Sequence, residues 1–181
     1  SMAWSPNGRT LLVGLDDIHT KATIRQIEPT DGKWRALASH ELSDGCVAEV
    51  LPLNNSRVIS ATMNGELALL DLNANKLIDK VASHQERGIR QMIQLEPGKT
   101  LATCGHDGLI RFWNQDLHSL GEPLNGHEGK PVRSLCYDSK RQQLYSAGHD
   151  KRIVQWDVHS HQMIRVHQDN FEIHSMCLSN D

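Results

Sequence analysis

Long apolar runs are missing from this sequence. No stretch approaches the roughly 20 consecutive apolar residues that a membrane-spanning helix needs, and no positively charged stretch followed by an apolar one opens the chain. The expectation is an intracellular protein, cytoplasmic or nuclear, without membrane contact. Paired cysteines are lacking too: Cys46, Cys104, Cys136 and Cys177 stand far apart and none belongs to a CxxC. That excludes a thiolate zinc knuckle and a dithiol redox motif, and leaves the four as reduced core fillers. Strong charge of one sign is absent. A net charge of -3 gives no global attraction to nucleic acid or anionic lipid. Nor is there a sustained helical period, which excludes a helical solenoid.

What is present is a composition of 38% hydrophobic and 23% charged residues over 181 positions, suited to one globular domain with a buried core. Its clearest feature is self-similarity. Thr103-Cys104-Gly105-His106-Asp107 matches Ser146-Ala147-Gly148-His149-Asp150, and Ile110-Arg111-Phe112-Trp113-Asn114 matches Ile153-Val154-Gln155-Trp156-Asp157, each pair 43 residues apart. The same step backwards sets Ser60, Asn64 and Leu70-Asp71 opposite Thr103, Asp107 and Trp113-Asn114. A fourth, most degenerate copy places Arg9 to Val13 and Ile24 to Ile27 in the corresponding positions after an insertion around His19.

Within each copy, short β-branched and apolar runs alternate with Gly, Asn, Asp and Pro, the pattern of strands joined by tight turns. In the third copy strands are expected near Ile89 to Leu95, Thr100 to Cys104, Leu109 to Trp113 and Ser119 to Leu124. A four-stranded antiparallel sheet cannot bury both faces alone, so neighbouring copies must stack on it, and radial stacking of such sheets is a propeller. The expected fold is all-β: a β-propeller of four-stranded antiparallel blades with about four repeats, at 1–40, 41–83, 84–126 and 127–170. Residues 171–181 follow as the first strand of a next or closing blade.

The dipeptides Gly126-His127 and Trp156-Asp157 resemble the GH and WD marks of the WD-repeat β-propeller family, and Ser83-His84 with Trp113-Asn114 is similar with one letter changed in each. The remaining copies keep the spacing and lose most of the signature. This resemblance implies a buried hydrogen-bonded tetrad of His, Ser or Thr, Asp and Trp in each well-kept repeat. Here the sets would be His84, Thr103, Asp107, Trp113 and His127, Ser146, Asp150, Trp156. In such a chain an indole N–H donates to a hydroxyl, the hydroxyl to an imidazole and the imidazole to a carboxylate. The second copy offers Ser60 and Asn64, but Leu70 replaces the Trp and the His position falls on or beside Glu41. The first copy has neither a Trp nor an obvious His.

Ser, His and Asp together also suggest a catalytic triad. Recurrence of the same set 43 residues later, with a Trp as fourth member, is what a scaffold needs and an active site does not. A His-dependent metalloenzyme is a further alternative. His159 and His161 form an HxH pair that would project from one side of a strand, but no Cys or acidic pair nearby completes a four-ligand site; surface histidines on a turn are the favoured reading, and neither metal nor cofactor is expected. The basic residues Lys130, Arg133, Lys140, Arg141, Lys151 and Arg152, within 130–152, support a second reading as a nucleic-acid-associated adaptor, though no aromatic residues alternate with them as a stacking platform would require. Some members of the family carry Arg two residues after the WD Asp for docking to a ubiquitin-ligase adaptor; His159 stands there.

The start of the chain, Ala3-Trp4-Ser5-Pro6-Asn7-Gly8, reads as the middle of a motif. Phe171 to Leu178 reads as the start of a fifth blade or a substitute for the first blade's inner strand. The chain is therefore expected as part of a longer propeller, as half of a homo-oligomeric ring, or as a self-closed ring of four blades, with completion by association favoured. The resemblance implies a non-catalytic scaffold for other proteins or peptides, which dock on rims and on the loop face. Asp44, Met63, Arg87, His106, Lys130 and His149 are the expected contact residues.

Overall fold

The computed structural model describes residues 1–15, 22–42, 46–84, 88–96 and 99–179. Its secondary structure is entirely β, arranged in four four-stranded antiparallel sheets, each a propeller blade. The chain divides into two compact units, Ser1–Glu86 and Arg87–Asp181. Two blades make up each unit.

In the first unit, one sheet runs β1 (Met2–Trp4), β2 (Leu11–Leu15), β3 (Thr23–Thr30) and β4 (Lys33–Glu41) in spatial order. The other runs β5 (Val47–Pro52), β6 (Arg57–Thr62), β7 (Glu66–Asp71) and β8 (Lys76–Ala82). Leu12, Ala22, Ile24 and Leu42 pack against Val47, Val50, Val58, Ala68, Leu70 and Leu72 in one buried cluster. The apolar face of the first sheet is thus covered by the second, as sheets too thin to bury themselves require. The insertion around His19 lies outside the described residues.

The second unit repeats the plan. One sheet has β9 (Ile89–Glu96), β10 (Thr100–Gly105), β11 (Leu109–Asn114) and β12 (Leu124–Asn125); the other has β13 (Val132–Asp138), β14 (Gln143–Gly148), β15 (Arg152–Asp157) and β16 (Met163–Gln168). Leu95, Ala102, Cys104, Ile110, Phe112 and Leu124 form one core with Val132, Leu135, Leu144, Val154 and Trp156. Gly148 permits a close approach: a Cβ there would stand 2.1 Å from the Pro131 carbonyl oxygen.

Backbone irregularities keep the period where side chains do not. Between third and fourth strands the register shifts at Gln26/Ile27, Leu69/Leu70 and Gln155/Trp156, positions related by one or two steps of 43. Such bulges twist the outer strand away from the sheet plane. The outer strands are wet. All six residues of β16 are exposed, so backbone pairing with β15, not burial, holds it.

Two expectations are corrected. The fourth strand of the third copy does not extend from Ser119 to Leu124: Ser119 makes one isolated bridge with Trp113, and only Leu124–Asn125 pair as a strand. Gly121 at φ +89° and Pro123, which has no N–H, interrupt the extended run. His159 is exposed in the turn between β15 and β16, as the surface-turn reading expects, and His161 just beyond it (φ +57°) stacks on Phe112 with ring centroids 4.6 Å apart. Residues 171–179 form no strand; Ile173 N–H donates to Gly148 O at 3.1 Å and Met176 N–H to Ser134 Oγ at 3.0 Å.

Candidate functional site

The turn between second and third strands is built alike in three blades, and the bond that positions it is the same each time. Met63 N–H donates to Cys46 O at 2.9 Å, His106 N–H to Gly88 O at 3.1 Å and His149 N–H to Pro131 O at 3.0 Å. Each bond ties the turn to the segment just ahead of the inner strand. Met63, His106 and His149 therefore occupy the same place in their blades, at the end where the inner strand begins. Met63 is 38% exposed; both histidines are half-buried.

Beneath the β14–β15 turn lies a continuous buried network. Trp156 Nε1–H donates to Ser146 Oγ at 2.8 Å, Ser146 Oγ lies 2.7 Å from His127 Nε2, and His127 Nδ1 lies 2.9 Å from Asp150 Oδ2. A carboxylate only accepts, so Nδ1 carries the imidazole proton and Ser146 O–H donates to Nε2. Asp150 Oδ1 accepts from Arg152 N–H at 3.3 Å, which fixes the turn itself. Every polar atom of the chain has its partner, and the interior dielectric strengthens each bond. Ser146 and His127 are wholly buried, so no scissile carbonyl can reach the hydroxyl as a nucleophile would require.

The preceding blade adds an ion pair at this carboxylate. Trp113 Nε1–H donates to Thr103 Oγ1 at 2.9 Å, and Asp107 Oδ2 accepts from Arg111 Nη1 at 2.6 Å while its Oδ1 accepts from Leu109 N–H. Val154 holds the position of Arg111 in the fourth blade. His84 belongs to the first unit, fully buried, with its N–H on Gly65 O at 3.1 Å. In the second blade Leu70 fills the Trp position and Ser60 Oγ is buried with no hydrogen-bond partner. His40, beside the expected Glu41, lies within hydrogen-bond distance of Asn75 Oδ1 and Gln26 Oε1 and not of Ser60.

The family model described as WD domain, G-beta repeat matches residues 75–114 and 118–157. The chain carries two WD repeats. The F-box-like/WD repeat-containing protein TBL1X of Mus musculus is 38% identical over 63 residues, 35% of this chain and 12% of the relative. The ubiquitin homeostasis protein lub1 of Schizosaccharomyces pombe is 34% identical over 84 residues, 46% of this chain and 11% of the relative. WD repeat-containing protein 55 of Danio rerio is 27% identical over 100 residues, 55% and 25% respectively. The matched part is a quarter or less of each relative's length.

Of the expected contact residues of this WD-repeat chain, Asp44 and Arg87 lie outside the described residues. Lys130 is exposed just ahead of β13, its N–H on His127 O at 2.8 Å, at the same end of its blade as His149. The basic stretch does not gather into one surface. Lys140 and Arg141 lie in the β13–β14 turn, at the opposite end of the strands from Lys130 and Lys151. Arg141 pairs with Asp138 at 2.7 Å, and Arg152 with Glu128 at 2.7 Å. Among the described residues no three His, Cys, Asp or Glu side chains group as metal ligands would, and no helix is long and apolar enough to cross a membrane.

Sequence reasoning missed Arg90 and understated Arg133. Arg90 Nε–H donates to His106 Nε2, and Arg133 Nε–H to His149 Nε2 at 2.7 Å. The available signal was the offset, since the two arginines are 43 residues apart, as are the two histidines. The His106 imidazole titrates below the usual histidine range, because burial disfavours its charge and Arg90, Arg133 and His149 repel it; Asp107 opposes them.

Proposed function

We propose that this chain is a non-catalytic platform for other proteins or peptides, which dock on the blade ends bearing Met63, His106, Lys130 and His149. The observation that carries the reading is the repeated turn. Three blades fix the same position by the same backbone bond, yet fill it with Met63, His106 and His149. A constant frame with variable tips is how a scaffold combines rigidity with recognition. The inaccessibility of Ser146 supports the absence of catalysis, and the division of basic residues between two blade ends disfavours the nucleic-acid reading. WD-repeat proteins typically bind other proteins, but a shared fold hosts many jobs, so the argument rests on these residues and not on the relatives' names. The same proposal places the chain in the cytoplasm or nucleus, a setting that suits four free cysteines.

The test is affinity capture from cell extract with the intact chain, a Lys130→Glu/His149→Glu variant and a Lys140→Glu/Arg141→Glu variant. The platform reading expects a protein retained by the intact chain and the second variant and lost from the first. Loss from the second variant alone, or from neither, would contradict it.

A further inference from the structure

The blade ends of the second unit carry two copies of an arrangement that the buried network does not use. Arg90 in β9 and Arg133 in β13 hold the same position in neighbouring inner strands, and each guanidinium is gripped through Nε by a histidine of its own blade. An Nε–H needs a lone pair, so His106 and His149 serve as acceptors at Nε2. That bond fixes each guanidinium plane and leaves its terminal N–H donors without a protein acceptor among the described residues.

Two carboxylates of the neighbouring turns are engaged elsewhere. Asp107 is held by Arg111 and Leu109 N–H, and Asp150 by His127 and Arg152 N–H. Burial, and next the repulsion of the neighbouring Arg133 guanidinium, lower the pKa of Arg90. Neither guanidinium forms an ion pair with a carboxylate among the described residues, and such cations raise the local positive potential and favour an anion.

One carboxylate of the chain already approaches. Glu172 Oε2 lies 3.8 Å from His149 Nε2, the atom that receives Arg133. A guanidinium fixed in one plane matches a carboxylate through two parallel N–H···O bonds. Of the neighbouring basic residues, Arg152 is paired with Glu128, and Arg141, paired with Asp138, lies at the opposite end of the strands, which disfavours the long track that a nucleic-acid backbone needs.

We propose that Arg90 and Arg133, oriented by His106 and His149, bind the carboxylates of an acidic segment of a partner protein. This rests on the platform reading and supplies the chemistry of its ligand.

Fluorescence anisotropy on the whole chain tests it, with a labelled peptide carrying four consecutive glutamates, its four-glutamine counterpart and a single-stranded oligothymidylate of equal charge. The glutamate peptide binds and the glutamine peptide does not. Arg90→Gln/Arg133→Gln weakens the glutamate peptide by about tenfold or more, Lys140→Gln leaves it unchanged, and Arg90→Glu/Arg133→Glu transfers binding to a four-lysine peptide. Equal binding of the glutamine peptide, tighter binding of the oligothymidylate, or indifference to the arginine variants overturns the proposal. If the protein captured from extract is retained by Arg90→Gln/Arg133→Gln, the acidic-ligand inference falls and the platform reading stands. If the glutamate peptide binds through the arginines while capture ignores Lys130 and His149, the reverse holds.

Discussion

Trp156 Nε1–H donates to Ser146 Oγ at 2.8 Å inside a site where the serine is fully buried and the indole 3% exposed. The tryptophan therefore fills core volume between two sheets and also completes a hydrogen-bond chain. Its two contributions can be separated. Trp156→Ala is expected to cost about 3–5 kcal/mol, the range for emptying an aromatic site in a core. Trp156→Phe keeps most of the volume and removes one donor, and should cost about 1 kcal/mol in hydrogen bonding, because Ser146 still donates to His127. Urea denaturation of the two variants checks both; a loss under about 1 kcal/mol for the alanine variant would mean that the indole does not anchor the blade.

Ser60 and Ser146 occupy the same position in their blades with opposite consequences. Ser146 Oγ links Trp156 to His127, whereas Ser60 Oγ is buried without a partner opposite Leu70. An orphaned buried hydroxyl carries a desolvation penalty that its removal relieves. Ser60→Ala should be neutral or stabilising, while Ser146→Ala should cost about 1–3 kcal/mol by orphaning its neighbours. Denaturation midpoints of the pair check this, and equal losses from both would contradict it.

His106 gives a pH dependence of definite sign. Its folded pKa lies below the unfolded value, through burial first and the nearby Arg90, Arg133 and His149 next. Between the two pKa values the unfolded chain binds the proton and the folded chain does not, so protonation favours unfolding. The stability contributed by neutral His106 is complete above about pH 6.5, the ordinary imidazole value, and is lost as pH falls below it. Substitution by Gln, which can accept from Arg90 but does not titrate, should flatten the fall in urea midpoint between about pH 7.5 and 5.5. An unchanged slope would show that this imidazole is not held neutral.

Much of this was legible in the sequence, for identifiable reasons. Trp113 and Trp156 fall in third strands, where the 43-residue self-similarity puts them, and each indole meets a second-strand hydroxyl. That chemistry recurs at the blade spacing. The fourth strand near Ser119 was misjudged because a local apolar run looked extended, while Gly121 and Pro123 decided the backbone. The half-buried His161 stacks on Phe112, a contact between blades that periodicity within one blade does not encode. The Arg90–His106 and Arg133–His149 pairs went unread because each joins an inner strand to a turn 16 residues on, and only side-chain coordinates bring the two nitrogens together.

The central claim is that the 43-residue spacing builds equivalent blades, each well-kept copy sealing its third-strand indole onto a second-strand hydroxyl. Hydrogen exchange of the four indole N–H protons, resolved in one NMR spectrum, tests it most directly. Trp113 and Trp156 should exchange slowly, bonded to Thr103 and Ser146 in the core, while Trp4 at 49% and Trp34 at 57% exposure should exchange as fast as free indoles. Slow exchange at Trp34, or exchange at Trp156 as fast as at Trp4, would contradict the account.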